Sequence, residues 1–441
     1  MENYNFDLGL LDSNIYIDGQ FIQSSIGIKK GKIDYIGEID ATQCINSIDF
    51  KNKFILPGII DTQVHFREPG LTHKEDIYHG TKAALLGGVT SIFEMPNTSP
   101  ATISEKEILK KIKIAEKKSW TNFAFFIGAC KENVTKLNEL ELIKGCAGIK
   151  IFMGSSTGNL LISEEEDLEI ALKTCNRRVA IHSEDEERLA NRFKKINKLN
   201  GVKEHEIWRD AKSAVISTKK VLKYAKMYNT KAHILHVSTA EEMLLLQNKG
   251  KYITVEVTPQ HLTLFSPDCY LQLGSLAQMN PPIRSIKHQL GLWEGVNNGT
   301  VDVIGSDHAP HTKEEKTKPW PNSPSGMPGV QTTLSIMLNH VNNKKLTINK
   351  LVQLLSENPC KIYNIKNKGF IKNGYDADLT VIDLNKEIKI KNEDMVSKCG
   401  WSPFNKMKLK GCAIATIVNG EIKMLNGNIL NNPNGKVIDF D

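Results

Sequence analysis

The sequence predicts an α/β protein with a closed (β/α)8 barrel at its centre, and three observations lead there. Between about residues 55 and 360, eight short apolar runs of β type alternate with amphipathic helical stretches. Strand-rich segments of a different pattern flank this centre on both sides. No Gly-x-Gly-x-x-Gly follows an early strand, which leaves the open doubly wound sheet, the second choice, without its dinucleotide signature.

In chain order, residues 14–38 alternate apolar and polar side chains with glycine punctuation (Ile15, Ile17, Gly19, Phe21, then Ile26, Ile28, Gly31, Ile33), which predicts short hairpins. The barrel strands are expected from Ile59 to Phe66, Val89 to Met95, Phe123 to Ala129, Gly148 to Phe152, Val179 to His182, Ala232 to Val237, Tyr252 to Val257 and Val301 to Gly305. Helices are expected between them, for example from Ser104 to Lys118, from Ser163 to Cys175 with Ser163 as N-cap before a run of acids, and from Glu206 to Tyr228. Strand and helix in this alternation make a parallel sheet, most economically a barrel. Residues 369–425 return to the hairpin pattern through Gly374, Asp376-Ala-Asp-Leu-Thr-Val-Ile-Asp383 and Ala413-Ile-Ala-Thr-Ile-Val418.

Composition narrows the function. With 441 residues, 40% hydrophobic and 24% charged, the chain has the make-up of an ordinary globular protein with a sizeable core. No run approaches the ~20 apolar residues of a membrane span. The net charge of +7 is spread as Lys-rich surface near residues 29–32, 110–118 and 344–350, the pattern of a solvated face rather than a nucleic-acid site. A small anionic substrate suits the same balance. Cys44, Cys130, Cys146, Cys175, Cys269, Cys360, Cys399 and Cys412 show no short framework spacing, as expected of free thiols in a reducing compartment. Met1 to Asp12 does not read as a signal peptide, so a cytoplasmic location is expected.

Residues of catalytic type fall at the C-terminal ends of the strands, the face where barrel active sites assemble. His65 follows the first strand and Asn97 the second; Lys150 ends the fourth, His182 the fifth, His236 the sixth, and Asp307 follows the eighth. Each alone reads as a hydrogen-bonded structural residue; their shared position makes them candidates. Three imidazoles and a carboxylate on one rim suit zinc, with positions left for water. Lys150, between apolar neighbours in Gly-Ile-Lys-Ile-Phe, reads in isolation as a snorkelling or ion-paired lysine. Beside imidazole-bound metal its ammonium would be repelled, unless CO2 has turned it into a carbamate, an anionic two-oxygen ligand able to bridge two ions.

At this point the residues resemble a family. Pro57-Gly-Ile-Ile-Asp-Thr-Gln-Val-His-Phe-Arg-Glu-Pro-Gly70 is similar to the first-strand signature of dihydroorotases in the amidohydrolase superfamily. Met95-Pro-Asn-Thr98, Gly148-Ile-Lys150, His182-Ser-Glu184, His236-Val-Ser-Thr239, Asn280-Pro-Pro-Ile-Arg284 and Ser306-Asp-His-Ala-Pro-His311 follow in the family's order. The resemblance covers nearly the whole chain. It implies that residues 1–54 and 366–441 pair into a small β-sandwich around a barrel of residues 55–365. It implies further that His65 and Asp307 hold one zinc, His182 and His236 a second, and N6-carboxylated Lys150 bridges them. Arg67, Asn97 and His311 would bind a substrate carboxylate, Asn280 the ring, and Ser325 and Gly326 would be loop contacts. Gly154-Ser-Ser-Thr-Gly-Asn159 lies where a loop would close. The implied reaction is zinc-assisted hydrolysis of a cyclic amide, with Asp307 as ligand and general base. In reverse it closes N-carbamoyl-L-aspartate into L-dihydroorotate, and metal-loaded members are commonly homodimers.

One position departs from the pattern. The family shows Asp-x-His-x-His, and this chain has Asp61-Thr-Gln63-Val-His65. An amide oxygen is a neutral and much weaker zinc donor than imidazole. Gln63 therefore coordinates through that oxygen, gives way to water, or leaves the ion of His65 and Asp307 labile or missing. Dihydropyrimidinase (hydantoinase) and allantoinase share the implied fold and ligands, but their substrates lack the ring carboxylate that Arg67 anticipates. A non-catalytic barrel bound to aspartate transcarbamoylase has Gln63 as its only support.

Overall fold

The computed structural model describes residues 5–155 and 160–441. All eight expected strands form one parallel sheet in sequential order: Ile59–Val64, Val89–Glu94, Asn122–Gly128, Cys146–Phe152, Val179–His182, Ala232–Ile234, Ile253–Val257 and Val303–Ile304. Every residue in them is buried, which is why they read as continuous apolar runs rather than alternating ones. The last strand returns to the first: His65 N–H donates to the His308 carbonyl at 2.7 Å, and Val64 bridges His308 in parallel. The sheet thus closes into a barrel, not the open alternative.

A second, nine-stranded mixed sheet draws on both ends of the chain. Its seam is the antiparallel pairing of Phe54–Pro57 with Leu379–Lys389. Leu10, Ile15, Ile26, Ile55, Val381 and Ile417, all fully buried, form part of its core, so the β-sandwich domain cannot fold from either end alone. Because Phe54–Pro57 is paired within this sheet, the chain enters the barrel at Gly58, slightly after the expected 54/55 boundary. The chain's end also departs from expectation. Val437 bridges Phe123, and Ile438 and Phe440 pack with Phe93 and Phe126, plugging the barrel end opposite the site with apolar side chains.

Two helices differ from the sequence reading. The helix Glu165–Thr174 has Glu164, not Ser163, at its N-cap, and the Ser163 hydroxyl donates to Glu164 instead. The stretch from Glu206 to Tyr228 breaks into Glu204–Trp208 and Ala211–Tyr228. Arg209 leaves the helical region there (φ −90°, ψ 62°), and the Asp210 side chain accepts from Ser213 N–H to start the second helix. Among the described residues no helix is long and apolar enough to cross a membrane. All the cysteines are free, and all but Cys130 are buried.

Candidate active site

The strand ends bring most of the candidate residues to one cavity. Gln63, His65, Asn97, Lys150, His182, His236 and Asp307 line it together with Arg67, Asn280, Ser325 and Gly326. Three of these, Arg67 (φ 63°), His236 (φ 36°) and Asp307 (φ 44°), sit in the left-handed region. That conformation costs a non-glycine residue of order 1–3 kcal/mol, and it persists where surrounding packing dictates it and a site needs the side chain re-aimed. Gly326 has φ 145°, and a Cβ there would lie 2.3 Å from the Ala309 carbonyl oxygen, so only glycine fits that loop.

The metal-type donors form two pairs. His182 Nδ1 lies 3.1 Å from His236 Nε2, and His65 Nε2 lies 3.3 Å from Asp307 Oδ1. Two ligands bonded at about 2.0–2.1 Å to one tetrahedral zinc stand roughly 3.3 Å apart, so each pair has the spacing of two ligands on one ion. Among the described residues no group of three or more His, Cys, Asp or Glu side chains gathers as a metal site. A further protein donor must be of another type, and Lys150 is in the same cavity. Its side chain is buried, makes no ion pair among the described residues, and holds its ammonium 4.5 Å from the Phe152 ring centre. Burial pushes this lysine down to about 7, against the pull of the Asp307 and Glu256 carboxylates. Much of it is therefore neutral near pH 7, the form that attacks CO2. Burial also pushes His65, His182 and His236 down, so all three are neutral imidazoles, the ligating form. The donor set fits zinc.

The two pairs are supported differently. His182 Nε2 meets Glu184 Oε2 at 2.9 Å, and Glu184 in turn accepts from Arg209 Nε at 3.0 Å. Burial alone would raise Glu184, but Arg209 and His182 hold it well below the usual carboxylate range. His65 Nδ1 instead donates to the neutral Asn97 Oδ1 at 2.6 Å, which fixes Nε2 toward Asp307. Gln63 donates from Nε2 to Asp307 Oδ1 at 3.0 Å, and its Oε1 is buried without a hydrogen-bond partner.

Arg67 defines the other side of the cavity. It is 1% exposed, donates from Nε to the Pro310 carbonyl at 3.2 Å, and makes no ion pair among the described residues. Its Nη1 is buried without a partner. Burial pushes it down only to about 10, so it remains charged at neutral pH. An unpaired buried guanidinium with an unused donor is costly unless an anion completes it. His311 stands beside it: its Nε2 lies 3.2 Å from Arg67 Nη2 and 3.1 Å from the carbonyl of Ser325, which lines the cavity.

Several participants escaped the sequence reading. His205 Nε2 lies 3.0 Å from Asn280 Oδ1 and orients that amide. Arg209 donates from Nη2 to the Ser155 carbonyl at 2.9 Å, at the near edge of the expected closing loop, whose residues 156–159 lie outside those described. Glu184 stands inside the quoted His182-Ser-Glu184 motif, and its two-residue offset from a strand-end ligand was the available signal. His261 is bonded to Thr258 Oγ1 at 2.8 Å and to the Pro281 carbonyl at 3.1 Å.

Comparison with known proteins places this geometry in context. A model of the amidohydrolase family matches residues 54–423. A protein named dihydroorotase from Methanosphaera stadtmanae is 38% identical, over 93% of this chain and 92% of that protein. One from Pyrococcus furiosus with the same name is 35% identical, over 97% and 95%. Among solved structures, an L-hydantoinase (dihydropyrimidinase) from Arthrobacter aurescens superposes with a TM-score of 0.93 at 27% identity, covering 98% of this chain and 99% of that one. A dihydropyrimidinase from Brevibacillus agri, with TM-score 0.88 and 24% identity over 97% and 96%, is a likeness of fold alone.

Proposed function

The chain belongs to the amidohydrolase family, among its dihydroorotases, and from that premise we propose that it interconverts N-carbamoyl-L-aspartate and L-dihydroorotate plus water. This is the ring-closing step of de novo pyrimidine synthesis. The observation that carries the substrate choice is Arg67, a buried cation with no ion pair among the described residues and an unpartnered Nη1 in the cavity wall. A ring carboxylate supplies the missing anion; hydantoin and allantoin have none to offer.

His65, Asp307, His182, His236 and carboxylated Lys150 are the residues that would hold zinc, which when bound lowers the pKa of the attacking water and polarises the ring carbonyl. Arg67 anchors the substrate carboxylate, with Asn97 beside it and His311 bracing the guanidinium. Asn280, held by His205, positions the ring. In hydrolysis Asp307 takes the proton of the attacking water and returns it to the ring nitrogen as the carbon–nitrogen bond breaks. In cyclisation the same carboxylate takes a proton from the ureido nitrogen as it attacks the side-chain carboxyl, and delivers it to the departing oxygen. Because Arg67, Asn97, Lys150 and Asp307 line one cavity, we take the chain as an active enzyme rather than a non-catalytic subunit bound to aspartate transcarbamoylase; the family resemblance further implies a cytoplasmic homodimer.

Steady-state turnover of L-dihydroorotate against hydantoin and allantoin tests the assignment. Dihydroorotate is expected to be favoured in kcat/KM by at least about 10²-fold, since the other substrates leave buried polar groups unpaired. Faster turnover of hydantoin or allantoin would contradict it.

A further inference from the structure

The two donor pairs are not equivalent, and Gln63 is the reason. Asp307 Oδ1 already accepts the Gln63 amide at 3.0 Å while lying 3.3 Å from His65 Nε2. A cation entering between His65 and Asp307 therefore competes with a buried amide donor for the same carboxylate oxygen. Using the Gln63 oxygen as a ligand instead requires the amide to turn over and give up its bond to Asp307. Either route costs a charge-assisted hydrogen bond between buried side chains. The other pair carries no such competitor. His182 Nδ1 and His236 Nε2 face each other at 3.1 Å, where two neutral nitrogens repel unless one carries a proton or a cation lies between them. The far nitrogen of His182 is bound to Glu184, and Glu184 is ion-paired to Arg209. A carboxylate behind a ligating imidazole fixes its orientation and raises its basicity.

We propose that this chain retains a single zinc ion, at His182, His236 and Lys150, and that Gln63 makes the His65–Asp307 position weak and exchangeable. His65 and Asp307 then serve the substrate and the proton more than the ion. The inference rests on the metal-dependent reading of the site.

Zinc content per chain tests it directly. The protein is stripped with a chelator, reloaded with zinc and bicarbonate, gel-filtered and measured by elemental mass spectrometry. About one zinc per chain is expected for the wild type and about two for Gln63→His, which supplies a third imidazole-type or carboxylate donor to the weak position. His65→Ala and His182→Ala carry the test if Gln63→His does not fold: the first keeps its zinc and the second loses it. Two zincs in the wild type, or zinc retained by His182→Ala and lost by His65→Ala, would overturn the inference. Two zincs together with dihydroorotate turnover would leave the proposed function standing, whereas a wild type that neither binds zinc nor turns over dihydroorotate would remove both.

Discussion

The half of the site built around His182 is backed by charge, and the half built around His65 is backed by neutral amides. Behind His182 stand Glu184 and Arg209, both buried and ion-paired to each other. Behind His65 stands Asn97, and beside its partner Asp307 stands Gln63. Both halves solve the same problem, aiming one nitrogen of a buried imidazole at a neighbouring donor. The first also makes that nitrogen a stronger base; the second leaves its carboxylate shared. The lesson is that two donor pairs of similar spacing can be supported unequally, one by a charged pair and the other by amides.

Breaking the strong half is expected to have the largest effect. Arg209→Met leaves Glu184 as a buried carboxylate without its cation, which is expected to cost about 3–5 kcal/mol of stability, read from denaturant unfolding. Glu184→Gln keeps the shape but removes the charge behind His182, and zinc affinity and kcat are expected to fall by about 10–100-fold. An unchanged zinc affinity in that variant would dissolve the contrast between the halves. Arg67→Lys loses the planar fork, and kcat/KM for dihydroorotate is expected to fall by roughly 10–100-fold, mostly through KM, while any hydantoin activity stays the same. Asn97→Ala removes the neutral brace of His65 and part of the carboxylate pocket, with an expected loss of about tenfold that leaves bound zinc unaltered.

Lys150 lines the same cavity and is expected to supply the pH dependence. Its amine is held down to about 7, so the ammonium dominates below that pH and the neutral amine above it. At fixed dissolved CO2, recovery of activity by stripped protein given zinc is expected to speed up by severalfold from about pH 6 to about pH 8, following the neutral fraction. A recovery rate that falls across that interval would mean that amine deprotonation does not limit the step.

The barrel was legible because each strand is buried on both faces and writes a continuous apolar run, from Ile59–Val64 to Val303–Ile304. The ligand-type residues were legible because strand ends have fixed positions along the chain: His65, His182, His236 and Asp307 each stand at or just past one, while Lys150, expected to end its strand, lies two residues before the end of Cys146–Phe152. What supports them was not. Arg209 lies within an uninterrupted helical pattern, yet the helix breaks there, where Arg209 pairs with Glu184 and Asp210 caps the next helix. His205 reaches Asn280 across 75 positions of sequence, and no local pattern encodes that contact. His311 meets Arg67 at 3.2 Å across 244 positions of sequence, a contact that the motif around His311 does not encode.

The measurement that bears most directly on the account is turnover of L-dihydroorotate and of N-carbamoyl-L-aspartate by purified protein supplied with zinc and bicarbonate, beside Lys150→Ala. Interconversion in both directions by the wild type, abolished in Lys150→Ala with the fold intact by circular dichroism, is the predicted result. Turnover that survives in Lys150→Ala, or none in the fully loaded wild type, would contradict a dihydroorotase built on this cavity.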